Sequence, residues 1–293
     1  MTVPAEYLPV QPDDGPSDLQ RWRDDYRRSR ARRSTALAGV STVVFLVVII
    51  TATVLSPGWP RVKATFLDWE VAKDSLPDIL SGLWLNIRVL LVSAVLIVIV
   101  GLGIAALRTL RGPLWFPVRV LAAAYTDFFR GMPLIILLYL VGFGLPGLQL
   151  RGMPTSPVVL GTIALVLTYS AYVAEVFRAG IESVHPSQRA AARSLGLSYG
   201  QTMRRVVLPQ AVRRVTPPLL NDFVALQKDV GLISVLGAFD AVRQAEVHAD
   251  AAFYFTPYLV AGLLFVLLAI PTIRVADWYS LRAVRRQQAS GAL

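Results

Sequence analysis

The sequence contains no cysteine and only two histidines among its 293 residues. Disulfides and thiolate metal sites are therefore excluded, because both require cysteine sulfur. The histidines, His185 and His248, lie far apart along the chain and make a poor pair of metal ligands. We therefore expect no metal site in this chain.

Lysine is also scarce, and its three positions exclude a nucleotide-binding P-loop. Such a loop ends in Gly-Lys-Ser or Gly-Lys-Thr, so that the lysine reaches the phosphates. Here Lys63, Lys73 and Lys228 follow valine, alanine and glutamine. The zinc-binding sequence H-E-x-x-H is absent as well. We expect that the chain is not an enzyme, and that any ATP hydrolysis it depends on occurs in another protein.

Charged residues make up only 16% of the chain, hydrophobic residues make up 55%, and the mean hydropathy is +0.55. These values are typical of an integral membrane protein, in which a helix of about 20 apolar residues crosses the ~30 Å hydrocarbon core. The pattern predicts an all-α membrane protein with about six transmembrane helices. They are expected at residues 36–55, 83–107, 117–143, 157–177, 210–236 and 257–279.

The segments around the first span differ in composition. Four prolines occupy residues 1–20 and seven arginines follow up to Arg33, which predicts a disordered basic tail. The first apolar run is longer than that of a signal peptide and lacks an A-x-A site, which favours a retained helix. The predicted organisation is a tail (1–34), an extra N-terminal transmembrane helix (35–56), an external surface connector (57–82), a core (83–280) and a second basic tail (281–293).

The distribution of Lys and Arg predicts the orientation in the membrane. Connectors on one side hold 21 of these residues, and those on the other side hold five. Cytoplasmic loops carry the excess of positive charge in membrane proteins. Both termini and the long polar loop at residues 178–209 are therefore expected in the cytoplasm.

The polar loop at residues 178–209 carries the start and stop signals of two short helices. Pro186 suits a first helical position, and Ser198 with Gln201 forms the sequence of a capping box. Gly196 suits the turn between the two helices, and Leu208-Pro209 is expected to end the second one and can also start the next helix. The loop is therefore predicted to form a helix, a turn and a helix.

Charged groups inside membrane spans are candidates for function, because each costs about 2.5–3.5 kcal/mol at a helix centre on insertion scales. Asn221 and Lys228 are seven residues apart, as are Asp222 and Asp229, which predicts one polar strip facing a partner or a cavity. Two further candidate pairs, Asp127 with Arg130 and Glu175 with Arg178, are three residues apart, which places both members of each pair on one helix face. The full set predicted to line a pathway is Asp127, Arg130, Glu175, Asn221, Asp222 and Lys228. Gly131-Met132-Pro133 is expected to interrupt the helix after Arg130.

Simpler interpretations exist for these features. Lys228 and Asp229 could lie at the headgroups and only solvate a helix end, and Glu175 could form a structural ion pair with Arg178. A basic helix-turn-helix can bind DNA, but both ends of this one enter the membrane within a few residues, which argues against nucleic acid. A loop lying on the lipid surface stays open as an alternative. The small residues at 190–192 favour contact with a protein.

The loop resembles that of permease subunits in ABC importers, in particular the histidine/glutamine-type branch for polar amino acid uptake. That family follows the pattern E-A-A, three residues, Gly, nine residues, Ile, one residue and Leu-Pro. This sequence keeps the spacing with Ala190-Ala191-Ala192, Gly196, Val206 and Leu208-Pro209. Ala190 replaces the usual acidic residue, and Val206 replaces isoleucine. Further matching segments lie at residues 128–134, 171–184, 194–211 and 217–229.

The resemblance implies the type I importer permease fold, a five-helix core to which the first helix is an addition. It also implies that an ATPase contacts Ala190, Ala191, Ala192, Gly196, Leu208 and Pro209. ATP and Mg would then be bound by that partner, and this chain would need no cofactor. A dimer of ATP-hydrolysing subunits, a second permease copy or paralogue, and a periplasmic or extracellular solute-binding protein would complete the importer in the bacterial inner membrane.

The residues alone also fit a second class of protein, an ion-coupled carrier or channel that works without partners. In that hypothesis the charges inside the membrane would form the ion site. It leaves the capped cytoplasmic loop without a role. An ABC importer permease for a polar amino acid explains both features.

Overall fold

The computed structural model of the protein describes residues 18–110 and 112–291. Every regular element within these ranges is helical. The helices are α1 (Asp18–Val54), α2 (Trp59–Phe66), α3 (Trp69–Arg108), α4 (Phe116–Gly131), α5 (Leu134–Tyr139), α6 (Leu145–Gly147), α7 (Pro157–Glu182), α8 (Pro186–Ser194), α9 (Tyr199–Thr202), α10 (Leu208–Asp229), α11 (Ala241–Ala252) and α12 (Thr256–Gly291). The chain forms two compact units, and the boundary between them lies after Val62.

Helix α1 starts earlier than the composition predicts. The tail predicted as disordered extends to residue 34, yet the helix begins at Asp18. That prediction is therefore wrong for residues 18–34, and its remaining part at 1–17 lies outside the described residues. Extending an existing helix costs far less than nucleating one, so the apolar run after residue 33 can propagate helix into the arginine-rich segment.

The predicted connector at residues 57–82 is also largely helical. It contains α2 and the first part of α3. Helix α3 begins at Trp69, well before the predicted span start at residue 83. The Asp68 side chain caps α3 by accepting hydrogen bonds from the backbone N–H groups of Glu70 and Val71, at 3.0 and 3.2 Å. The acidic residues near this end belong to the first turns of a long helix. The external position of this segment stays a prediction.

Within the described ranges, four segments are able to cross a membrane by length and composition: Arg33–Val54, Trp59–Arg108, Pro157–Glu182 and Thr256–Arg282. A bent pair, Pro113–Gly131 with Leu134–Gly147, adds a fifth if it is counted as one span. The predicted span at 210–236 is not among these segments, so the count of six is not confirmed. Its helix, α10, contains two arginines, a lysine and two aspartates, which lower its apolar content.

The break predicted at Gly131-Met132-Pro133 is confirmed. Helix α4 ends at Gly131 and helix α5 begins at Leu134. The helical segments before and after the break meet at an angle of 107°. Pro133 disfavours a helical conformation in the residue before it, and Met132 is extended, with ψ of 128°. The chain therefore changes direction at a point where its backbone is freed from a helix.

Helix α7 packs against α3, α4 and α10 in the unit that begins at Lys63. A side chain at Gly180 would collide with Val215 of α10, so glycine permits the close contact between these two helices. A buried cluster shared by the three helices α3, α7 and α10 contains Leu165, Tyr169 and Val173 of α7, Val89, Leu90 and Ile97 of α3, and Leu226 of α10. Close packing of this kind keeps side chains on α7 and α10 in fixed positions relative to each other.

A buried polar network joins α3 to the segment after α10. The Asn86 side-chain amide donates to the Val230 carbonyl at 3.2 Å and to Asp240 Oδ2 at 2.9 Å. In return, Asn86 Oδ1 accepts from the backbone N–H of Ala241 at 3.0 Å. Burial raises the pKa of the Asp240 carboxyl to about 6, and the donors around it oppose this rise. The network fixes the end of α10.

Candidate functional site

A polar cavity of about 450 Å³ opens where the break between α4 and α5 faces α7 and α10. Its charged lining residues are Arg130 from α4 and Asp222 and Asp229 from α10. The remaining lining residues are Gly131, Met132, Pro133, Leu134, Thr168, Tyr169, Tyr172 and Ala225. Three separate stretches of the chain therefore contribute to one site.

Two polar atoms of the cavity residues have no hydrogen-bond partner in the described structure. They are Asp222 Oδ2 and Thr168 Oγ1, and both are buried. Asp229, in contrast, accepts a hydrogen bond from the Tyr169 hydroxyl at 2.7 Å. A buried carboxylate oxygen without a donor is unfavourable, so a ligand that donates a hydrogen bond to Asp222 would be stabilised there.

The positively charged group of the cavity lies over an aromatic ring. The Arg130 guanidinium carbon lies 5.8 Å from the centre of the Tyr172 ring, within the range of a cation–π contact. The Tyr172 hydroxyl also donates to the Arg130 carbonyl at 3.3 Å. The cavity thus presents one guanidinium and two carboxylates, a set that suits a small molecule carrying charges of both signs.

The loop between α7 and α10 forms the predicted helix, turn and helix. Pro186 occupies the first turn of α8, and the capping box before α9 is complete. Ser198 Oγ accepts from the Gln201 N–H at 3.3 Å, and Gln201 Oε1 accepts from the Ser198 N–H at 2.9 Å. Gly196 makes the turn with φ of +81°, in the left-handed region that favours glycine.

Leu208-Pro209 starts the next helix, as the sequence allows, but it does not separate that helix from the second short one. A π turn at Met203–Val207 carries the chain from α9 directly into α10, which begins at Leu208. A wider turn can accommodate Pro209, which has no N–H to donate to the preceding turn. The loop is therefore continuous with the helix that carries Asp222 and Asp229.

A cluster of ion pairs joins α3, α4 and α7. Arg108 Nη1 donates to Glu175 Oε2 at 2.8 Å and to Thr126 Oγ1 at 3.0 Å. Arg178 also donates to Glu175, with Nε 2.9 Å from Oε2, and it pairs with Glu182 through Nη1. Glu175 thus receives two guanidinium groups, one from its own helix and one from α3.

Residues 99–285 match the family described as the inner membrane component of binding-protein-dependent transport systems. The chain belongs to this family. This permease is 35% identical over 207 residues to the arginine transport system permease protein ArtQ of Bacillus subtilis, covering 70% of this chain and 91% of that protein. It is 37% identical over 176 residues to the probable glutamine ABC transporter permease protein GlnM of the same organism, covering 59% and 78%.

Solved structures agree with this assignment. A crystal structure of an amino acid ABC transporter with histidines is 31% identical to the permease, with a TM-score of 0.67, and covers 73% of this chain and 98% of that chain. The resemblance to ABC permeases and the all-helical permease fold are confirmed. The chain is the membrane-spanning subunit of an ABC importer in the bacterial inner membrane. Membership of the family implies an ATPase and a solute-binding protein as partners.

The permease structure separates the six residues predicted to line a pathway. Arg130 and Asp222 line the cavity. Asn221 and Lys228 are exposed on a different face of α10, so the two seven-residue pairs do not form one strip around this cavity. Asp127 is exposed, and no ion pair joins it to Arg130 among the described residues, because the Arg130 side chain lies over Tyr172. Glu175 belongs to the ion-pair cluster instead of the cavity lining.

Some residues at these sites were not predicted from the sequence. Thr168, Tyr169 and Tyr172 line the permease cavity, and Arg108 completes the ion-pair cluster. The two tyrosines carry hydroxyl groups and are three residues apart in an apolar span. This spacing places them on one helix face and could have indicated a polar site there. Arg108 offered no such signal, because it pairs with a residue 67 positions away.

We predict that Glu175→Gln lowers the thermal stability of the purified permease by several degrees. The substitution removes the charge that two guanidinium groups share, and hydrogen bonds to charged groups contribute about 1.5–3 kcal/mol each. Melting of the detergent-solubilised protein measures the effect. Glu70→Gln is the control, because Glu70 is exposed and its side chain has no partner among the described residues. Equal melting temperatures for the two variants would contradict a bracing role for Glu175.

Proposed function

We propose that this permease imports a polar amino acid, and that two permease copies form the pathway. Both termini and the loop at residues 178–209 would lie in the cytoplasm, in agreement with the excess of Lys and Arg on that side. ATP and Mg would be bound only by the partner ATPase, since this sequence has no P-loop. The relatives, an arginine permease and a probable glutamine permease, support an amino acid as the solute.

The observation that carries this proposal is the charge arrangement of the cavity. An amino acid has a carboxylate, which would pair with Arg130, and an ammonium group, which would donate to the unpaired Asp222 Oδ2. Thr168 Oγ1 supplies a further polar group without a partner. Each charge of the solute would therefore meet an opposite charge on the permease.

The cavity also favours one class of amino acid over others. Two carboxylates and one guanidinium line it, so a solute with an additional positive charge would balance the lining better than a neutral one. We therefore expect basic amino acids to be preferred. The exposed face of α10 with Asn221 and Lys228 is available to a second permease copy, which would extend the pathway beyond this cavity.

The continuity of the loop with α10 supports a mechanism of coupling. Closure of the ATPase pair would displace α8 and α9, with the ATPase touching Ala190, Ala191, Gly196, Leu208 and Pro209. The π turn passes this displacement into α10, and α10 carries the two cavity carboxylates. Ala192 is buried within the loop, where it contributes to packing. A rigid-body shift of this kind changes the side to which a cavity opens.

Reconstitution in proteoliposomes tests the proposal. The permease assembled with its ATPase and its solute-binding protein is expected to take up labelled amino acid only with ATP, and to hydrolyse ATP faster when loaded binding protein is present. The permease alone is the control. Uptake by the permease alone on an ion gradient would overturn the proposal in favour of a stand-alone carrier.

A further inference from the structure

Two arginines mark the ends of the uncharged part of α3. Arg88 is followed by 19 residues without charge before Arg108. At about 1.5 Å per residue this stretch is about 28 Å long, close to the ~30 Å of a bilayer's hydrocarbon core. Trp84 lies one turn before Arg88 and is 58% exposed, as is typical of tryptophan in the headgroup layer. Arg88 therefore lies at the headgroup level opposite to that of Arg108 and its ion-pair cluster.

An apolar groove of about 460 Å³ lies beside Arg88, between α3 and the start of α7. Leu96 lines it two turns beyond Arg88, so the groove extends about 12 Å along α3 into the uncharged stretch. Val92 and Val159 are 54% and 43% exposed, which leaves the groove open to its surroundings. Its hydrophobic walls are formed by Val89, Val92 and Leu96 of α3 and by Val158, Val159 and Ile163 of α7.

Arg88 is the one charged residue of this groove among the described residues, and its guanidinium has no partner there. The side chain is exposed, and no hydrogen bond, ion pair or ring contact engages it in the described part of the chain. The other polar lining residue, Thr162, already donates its hydroxyl to the Val158 carbonyl at 2.7 Å. An unpaired charge beside hydrocarbon is unfavourable, so an anionic group at this level would stabilise Arg88.

From this arrangement we propose that the groove binds an anionic phospholipid, with the lipid phosphate on the Arg88 guanidinium and one acyl chain along the apolar walls. A phospholipid carries both features that the groove requires, an anion at the headgroup level and a chain that extends from it into the hydrocarbon. Arginine suits phosphate because its planar guanidinium can donate two parallel hydrogen bonds. None of the groove residues lines the polar cavity, so the lipid site is independent of the proposed amino acid transport.

A second permease copy is a weaker fit for this groove. It would have to bring its own acidic group to Arg88 at the edge of the hydrocarbon, whereas the bilayer supplies phosphate at that level without such a cost. Simple extension of the Arg88 side chain toward the surrounding headgroups would not require a groove at all. Substitutions in the groove walls therefore separate a lipid site from an arginine that only reaches the headgroup layer.

The test is native mass spectrometry of the full-length permease, purified with its ATPase and equilibrated with phosphatidylglycerol or phosphatidylcholine. The unmodified permease is expected to retain more phosphatidylglycerol, because the choline charge offsets the phosphate of the other lipid. Arg88→Gln should weaken phosphatidylglycerol binding about fivefold, which corresponds to ~1 kcal/mol for one arginine near an anionic surface. Arg151→Gln is the matched control, because Arg151 is exposed just before α7, has no partner among the described residues and does not line the groove. Equal binding by the two variants would overturn the proposal.

A second variant tests the walls of the groove while Arg88 stays in place. Val159→Trp fills part of the groove from a half-exposed position, so the buried core is not disturbed. It should weaken binding of long-chain phosphatidylglycerol several-fold and binding of a short-chain analogue less. Unchanged binding of the long-chain lipid would show that Arg88 contacts headgroups without the groove. Displacement of the lipid by inorganic phosphate would indicate a site for a free anion instead.

A single cysteine tests whether a second permease copy covers the groove. The natural chain has no cysteine, so Val92→Cys introduces one thiol into an exposed part of the groove wall. No disulfide-linked permease dimer is expected under oxidising conditions in the membrane, because lipid occupies the groove. A disulfide-linked dimer would place a second copy over the groove and would contradict the lipid site.

Discussion

Asp222→Asn is expected to reduce the affinity of the importer for a basic amino acid by about tenfold or more. The substitution removes a cavity carboxylate that has a buried oxygen without a donor among the described residues. A hydrogen bond to a charged group contributes about 1.5–3 kcal/mol, and about 1.4 kcal/mol corresponds to a factor of ten. The measurement is KM for solute uptake by the reconstituted importer, compared between a basic and a neutral amino acid.

The comparison between solutes separates a role in recognition from a loss of folding. A misfolded permease would lose uptake of both amino acids equally, whereas loss of a charge contact affects the basic solute more. Asp74→Asn is the control, because Asp74 is exposed near the start of α3 and lines none of the described cavities. If KM for the basic amino acid does not change, Asp222 has no contact with the solute.

Gly196→Val is expected to abolish most solute-stimulated ATP hydrolysis while the permease still inserts into the membrane. Gly196 has φ of +81°, and a β-branched residue is strongly disfavoured in that region. A Cβ at this position would meet no atom within 4 Å, so the effect comes from the backbone and not from a collision. The turn between α8 and α9 must then change, and with it the surface presented to the ATPase.

Gly196→Asn provides the matched comparison. Asparagine adopts the left-handed conformation more readily than other residues with a Cβ, so this variant should keep much of the stimulation. ATP hydrolysis with and without loaded binding protein is measured for both variants in proteoliposomes. Similar stimulation in Gly196→Val and in the unmodified importer would show that the geometry of this turn is not needed for coupling.

The loop at residues 178–209 illustrates how far local signals reach. The capping box at Ser198 and Gln201, the start at Pro186 and the turn at Gly196 depend on atoms within a few residues of one another. Such contacts are set by the order of residues, and they were predicted correctly. The place of Pro209 at the start of α10 was also allowed by the sequence. The continuity of α9 with α10 was not predicted, because either a stop or a π turn accommodates the missing N–H of Pro209, and packing of the segments around it selects between them.

The sequence by itself determined that this protein is helical and membrane-bound, where its helix α4 breaks, and which family its loop resembles. These properties follow from apolar runs, caps and prolines that act over short distances along the chain. Tertiary structure alone decided which polar residues meet. The Tyr169–Asp229 and Arg108–Glu175 contacts join residues 60 and 67 positions apart. Periodicity placed Asn221 beside Asp222 on one helix, but only the packing of α7 against α10 turned Asp222 toward the cavity and left Asn221 exposed.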